Sequence, residues 1–200
     1  MPAMNFNVTP LQGVNLEILS LDMNIVDAHK TCPWIACGRK DCVHGEAVVP
    51  GCDMNRCHRT MQERAEVAFH LLDERVSAAA AARRQLLVIS HYPTTYLNTF
   101  SYRGRTINDL LRNPKVSIVY FGGHVHATDN ITNVHHGLRR HGWNDFCVGG
   151  GGGWACDANP GMPSSQGFVS GVVKSDGSLT NFRFHMAADS ECCFMNPRSG

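Results

Sequence analysis

Residues 85–93 read QLLVISHYP and residues 116–129 read VSIVYFGGHVHATD. Each is an apolar run that ends in histidine. The apolar positions are continuous rather than alternating, which predicts two short strands buried on both faces. Between them, residues 105–112 carry a short helical pattern. Asn113-Pro114 stops it, because the residue before a proline is driven out of the helical region. Strand, helix, strand is a crossover unit, so the two strands are expected to be parallel, with both histidine groups at one edge of the sheet. That edge, beyond the carboxyl ends of the strands, is where open α/β sheets hold their ligands.

The candidate ligating residues are His91, His124 and His126. Neutral imidazole is the commonest protein ligand for first-row metals. In an extended segment His124 and His126 project to the same side, because side chains alternate with period two. Gly122 and Gly123 are expected to let the backbone turn tightly and come close to whatever the histidines hold. Pro93 fixes the chain just past His91. A single histidine of this kind is most often a hydrogen-bonded, partly buried side chain. Three converging on one sheet edge favour a metal.

The string GGHVHA at 122–127 resembles the last sequence block, Gly-His-x-His, of the calcineurin-like metallophosphoesterases. SHYP at 90–93 is similar to the single-histidine block that precedes it, in a form seen among acid phosphatases of that superfamily. The likeness extends with its flanking strands over residues 16–185. It implies an α/β fold, the four-layer αββα sandwich of that family, and two metal ions that share a bridging aspartate and a bridging hydroxide. Residue by residue, it makes His91 and His124 ligands of one metal and His126 a ligand of the other. The ions could be iron, manganese or zinc, since imidazole accepts all three.

The chain also departs from the family pattern. The family's earlier blocks are Asp-x-His on the first strand, Gly-Asp-x-x-Asp after the second, and Gly-Asn-His followed by an acid before a third. Neither Gly-Asp-x-x-Asp nor Gly-Asn-His occurs in these 200 residues. Asp27-Ala28-His29 spells Asp-x-His, but it follows a strand expected over 16–22, LEILSLD, and runs into a cysteine cluster, so it is left out of the ligand set. Asp22, at the end of that strand, is read as structural or ligand-orienting. No catalytic residue is assigned. The expectation is a sandwich incomplete at its amino end: residues 1–185 as the carboxyl part of a phosphoesterase domain, 32–57 as a cysteine-rich insertion, and 186–200 as a cysteine-containing tail. Partial metal occupancy at most is expected of such a chain.

Net charge is +1, with 18% charged residues against an average near 25%, so no electrostatic footprint for nucleic acid exists. No apolar run reaches the length of a membrane span, and MPAMNFNVTP does not begin like a signal peptide. Nine cysteines, five of them between Cys32 and Cys57, nevertheless suit an oxidising compartment. So do the glycosylation triplets at Asn7 and Asn130. A secreted protein whose start is missing would reconcile these signals.

Residues 1–15 read as a lead-in. The spacing C-x4-C-x4-C-x9-C-x4-C from Cys32 to Cys57 is open to a zinc cluster with His44 and His58 or to disulfides, of which the second suits the wide gaps better. Residues 59–84 carry apolar positions at three- and four-residue steps, predicting a long covering helix whose basic end, Arg83 and Arg84, complements the helix dipole. His70 on it is read as surface. VHHGLRRHGW at 134–143 places Arg139 and Arg140 near the metal block, where a guanidinium could bind a phosphorylated substrate. A solvated basic loop is the blander alternative. DFCVG at 145–149 reads as a strand, closed by the five glycines 149–153. GFVSGVV at 167–173 and LTNFRFH at 179–185 read as a terminal hairpin. Cys147 and Cys156 could pair across the glycine loop, and Cys192 and Cys193 could staple the tail.

Two functions are compatible with these features. The first is metal-dependent hydrolysis of phosphate esters by a metal-activated hydroxide, impaired in this chain. The second is a non-catalytic, secreted, disulfide-stapled binding module. Nucleic-acid binding through a zinc-held cysteine cluster is disfavoured by the balanced charge.

Overall fold

A computed structural model describes residues 5–8, 13–37, 53–124, 144–148 and 167–186. In chain order it contains β1 (Phe6–Val8), β2 (Leu16–Leu21), α1 (Ala28–Cys37), α2 (Met54–Ala82), β3 (Gln85–Ser90), β4 (Ser101–Tyr102), β5 (Arg105–Thr106), α3 (Ile107–Leu111), β6 (Ile118–Gly122), β7 (Asn144–Cys147), β8 (Gly167–Val173) and β9 (Leu179–Met186). Five strands form one mixed sheet in the order β1-β2-β3-β6-β7. β2, β3, β6 and β7 are parallel, and β1 is antiparallel at the edge. The protein is therefore α/β, as expected. The expected lead-in, by contrast, contributes a strand. Phe6–Val8 pairs with β2, and the backbone of Asp22 donates to Asn5 Oδ1 at 2.7 Å. Among the described residues, no helix is long and apolar enough to cross a membrane.

Helix α2 starts before the expected Arg59. Asp53 caps it, its carboxylate accepting from the Arg56 amide at 2.6 Å, and so satisfies one of the orphan donors of the first turn. Arg83 ends it in the left-handed conformation, φ 52°. Ala65, Ala68, Phe69, Leu72, Val76 and Ala79 lie on one face and pack on Leu19 and Leu21 of β2, Leu86 and Val88 of β3, and Tyr120 of β6. Each large side chain buried here stabilises by about 1.5–3 kcal/mol. The alanines let the helix sit close to the sheet, and Leu72→Ala would cost about 2–5 kcal/mol.

The other face of the sheet differs from expectation. β3 was expected to be buried on both sides, yet its burial alternates and Ile89 is 41% exposed. The reason is coverage rather than sequence. Among the described residues, that face is approached by the β8–β9 hairpin, whose Phe182 packs on Phe146 (4.5 Å between centroids) and Phe121 (6.3 Å).

Two further ties fix α1 and α2. Cys32 and Cys57 are joined in a disulfide across 25 residues of chain, which settles for this pair the choice between zinc and disulfide. Closing a loop of that length stabilises by about 3.5 kcal/mol in the chain-entropy account. Ala28, Cys32, Met54, Cys57 and Met61 form a small second cluster around it. Cys42, Cys52, Cys156, Cys192, Cys193 and His44 lie outside the described residues.

The second tie is Glu17 on β2, which is fully buried. Arg75 of α2 grips both carboxylate oxygens, Nε to Oε1 at 2.6 Å and Nη2 to Oε2 at 2.8 Å. Arg84 adds Nη1 to Oε2 at 3.1 Å, and the Asn7 amide donates to Oε1 at 3.0 Å. Arg84 thus serves a buried carboxylate rather than the helix dipole, and the side chain of the Asn7 triplet is engaged in the fold. Burial alone would push the Glu17 carboxyl up; the two guanidinium groups outweigh it and hold the carboxyl below the usual range.

Because the folded value is depressed, the stabilisation from Glu17 is full above the unfolded carboxylate value of about 4.3 and is lost as pH falls through the folded value. Glu17→Gln should destabilise the protein by about 3–5 kcal/mol near neutral pH, since it strands two guanidinium groups. Urea denaturation followed downward from about pH 7 should show the gap between wild type and Glu17→Gln narrowing below about pH 4.5. A gap that stays constant would contradict this account.

Candidate functional site

β3 and β6 are adjacent and parallel, with Ile89 opposite Phe121, so the residues that follow them emerge side by side. The Gly123 amide donates to the His91 carbonyl at 2.9 Å, lacing the two loops together. A side chain at Gly122 would not fit: its Cβ would lie 2.9 Å from Pro93 Cα and 3.0 Å from the Tyr92 carbonyl oxygen. The glycine therefore admits the backbone of the neighbouring loop, not a ligand. The tight turn is not made by Gly122 or Gly123 either; His124 itself takes the left-handed conformation, φ 64°. Histidine is among the few side chains that visit this region with any frequency, at a cost of about 1–2 kcal/mol. The extended geometry assumed for His124 and His126 therefore fails at His124. His126 lies outside the described residues, as do Arg139, Arg140 and the glycines 149–153.

The left-handed turn brings His124 Nδ1 to 3.2 Å from His91 Nε2. Tyr92 and Tyr96 wall the pair. The Tyr92 ring lies 4.7 Å from His124 and 4.8 Å from His91, and the Tyr96 ring lies 5.2 Å from His124. Tyr92 is buried, and burial first, then the charges of Asp27 and Asp22, push its phenol up to about 12. It is a neutral wall at physiological pH rather than an acid or base. The loop that carries both tyrosines is anchored from beneath: Thr94 Oγ1 donates to Asp145 of β7 at 2.6 Å, and Asn108 of α3 donates to the Thr94 carbonyl at 2.8 Å.

A carboxylate completes the group. After β2, Asp22 Oδ1 accepts from the backbone and side-chain amides of Asn24, at 3.1 and 2.7 Å, and so starts a single 3₁₀ turn over Asn24–Asp27. Its other oxygen lies 3.6 Å from Arg64. The turn delivers Asp27, largely buried, to the histidine pair: Oδ2 stands 3.8 Å from His124 Nε2, while Oδ1 meets Lys30 Nζ at 3.0 Å. The sequence reading set Asp27 aside as half of an Asp-x-His string. Here Asp27 stands between two histidines: Oδ2 faces His124, and Oδ1 lies 3.9 Å from Nε2 of His29, which is 69% exposed on α1. The available signal was an aspartate within reach of a strand's carboxyl end.

Two ligand nitrogens at 2.0–2.2 Å from one cation, subtending about 90–110°, are about 2.8–3.6 Å apart. The spacing of His91 Nε2 and His124 Nδ1 falls within that range, and it is equally that of an N–H···N hydrogen bond. The pair can therefore be formed before a cation arrives. Asp27 faces the opposite nitrogen of His124 and does not share that point. Among the described residues, no group of three or more His, Cys, Asp or Glu side chains converges as a metal site.

Gly122→Ala should destabilise the protein by about 1–3 kcal/mol, the cost of overpacking, instead of giving the gain that removing glycine from a strand usually brings. Equal or higher stability in urea denaturation would show that the loops do not need this contact. Comparison of the chain with protein-family models, curated proteins and solved structures finds no match.

Proposed function

We propose that the carboxyl edge of this sheet is part of the metal site of a phosphoesterase of the calcineurin-like type, with the four-layer sandwich of that family as its complete fold. One observation carries the reading: two histidines from adjacent parallel strands present Nε2 and Nδ1 to each other at 3.2 Å, a spacing suited to joint ligands of one cation. The sequence blocks around them, SHYP and GGHVH, are those that resemble the family. A strained backbone at His124 agrees with a position kept for chemistry rather than for folding.

In such a site a bound cation lowers the pKa of its water and neutralises phosphoryl oxygens. The residues of this chain have narrower tasks. His91 and His124 supply two nitrogens, and His126 is assigned a third on the sequence resemblance alone. Tyr92 and Tyr96 exclude water from one side of the pair and restrict ring rotation. Arg139 and Arg140 are the sequence-based choice for contact with the phosphate. The bridging carboxylate and the asparagine-histidine block have no counterpart in these 200 residues, so turnover of phosphate esters by this chain should be weak. Iron, manganese and zinc all suit the donors.

The second reading, a non-catalytic secreted module stapled by disulfides, draws on the Cys32–Cys57 bond. Titration calorimetry with Co²⁺ or Zn²⁺ separates the two. The phosphoesterase reading expects one ion per chain, with affinity reduced by about 100-fold or more in His91→Ala and in His124→Ala, beyond the effect usual for an outer-shell group. Hydrolysis of p-nitrophenyl phosphate by the loaded protein should be slow and should disappear in the same variants. Binding that survives both substitutions would overturn the proposal and favour the module.

A further inference from the structure

Asp27 belongs to neither the sequence-based ligand set nor the histidine pair, yet its carboxylate lies 3.8 Å from Nε2 of His124, the nitrogen that does not face His91. Its carboxylate side chain is 12% exposed, and its two oxygens have different neighbours: Oδ1 is met by Lys30 at 3.0 Å and by the exposed His29 at 3.9 Å, while Oδ2 is turned to His124 Nε2. The segment is held at both ends. Asp22 accepts from the backbone and side-chain amides of Asn24, the first residue of the 3₁₀ turn that leads into Asp27, and α1, which starts at the next residue, is bonded to α2 through Cys32–Cys57. At 3.8 Å the contact is an electrostatic pairing, longer than a hydrogen bond.

From this geometry we infer that Asp27 is a positioning residue for His124, holding the imidazole proton on Nε2 so that Nδ1, the nitrogen facing His91, keeps its lone pair. A neutral imidazole has two tautomers, and the partner at one nitrogen decides what the other offers. With the proton on Nε2, an N–H lies beside a carboxylate oxygen 3.8 Å away; with the proton on Nδ1, a lone pair would lie there instead and the proton would block the space shared with His91. The inference deepens the metal-site reading and rests on it for the use of Nδ1. The orientation of His124 by Asp27 stands on its own. An outer-shell carboxylate of this kind typically contributes 10–100-fold to metal affinity. It acts through the histidine and need touch neither the ion nor a substrate.

The test uses the full chain and two readouts. In the metal-free protein at about pH 8, where neutral imidazole dominates, long-range ¹H–¹⁵N spectra should place the His124 proton on Nε2 in wild type and in Asp27→Glu. The Nε2–H fraction should fall in Asp27→Asn. Calorimetry with Co²⁺ should then show Asp27→Asn binding about 10–100-fold more weakly than wild type, with Asp27→Glu in between. A wild-type His124 protonated on Nδ1, a Nε2–H fraction unchanged in Asp27→Asn, or an Asp27→Asn affinity within about twofold of wild type would each overturn the inference. Should Asp27→Asn not fold, the wild-type and Asp27→Glu spectra still decide it. Wild-type protein that binds no Co²⁺ would instead sink the metal-site reading, while the spectra continue to decide what Asp27 does to His124.

Discussion

The site depends on how closely two backbone segments approach each other. Gly122, the last residue of β6, lies against Pro93 and Tyr92 with no room for a Cβ, and the next amide donates to the His91 carbonyl. Parallel pairing of β3 and β6 sets the direction of both loops, and this contact sets their separation. His91 and His124 meet because of it. The turn that orients the second imidazole is made by the histidine itself in a left-handed conformation, so some backbone strain is concentrated at the residue whose direction matters most.

The rest of the molecule holds that edge rigid. Glu17 joins β1, β2, α2 and the approach to β3 through a single buried carboxylate, and it is neutralised by two arginines. The disulfide between α1 and α2 does the same for the segment that carries Asp27. Beneath the tyrosine loop, Thr94, Asp145 and Asn108 form a buried polar chain that links β7 to α3. Asn108 donates there to the Thr94 carbonyl and to Asn98 Oδ1, while its own Oδ1 has no hydrogen-bond partner among the described residues. Each of these ties bears on one of the three segments that reach the site, which follow β2, β3 and β6.

The elements that could be read from the sequence are those whose signal is local. The apolar runs, the proline that stops α3, the three- and four-residue spacing of α2 and the terminal hairpin all carry their pattern within one stretch of chain. Parallel pairing of β3 and β6, and with it the meeting of His91 and His124, followed from the crossover between them. The unread features are tertiary. Nothing local marks Glu17 in LEILSLD as buried, because its partner Arg75 lies 58 residues away. Asp27 looked like part of a metal string, but a 3₁₀ turn aims it at a histidine nearly a hundred residues further on. Continuous apolar character predicted burial on both faces of β3. Whether a face is covered depends on what packs there, and Ile89 stays half open.

The claim that His91 and His124 act together on one cation is tested most directly by anomalous diffraction from crystals of the protein grown with Zn²⁺, recorded at the zinc absorption edge. The account predicts one anomalous peak about 2.0–2.2 Å from both His91 Nε2 and His124 Nδ1, with His124 Nε2 turned to Asp27. A peak bound by one of these histidines alone, or no peak between them in zinc-saturated crystals, would contradict it.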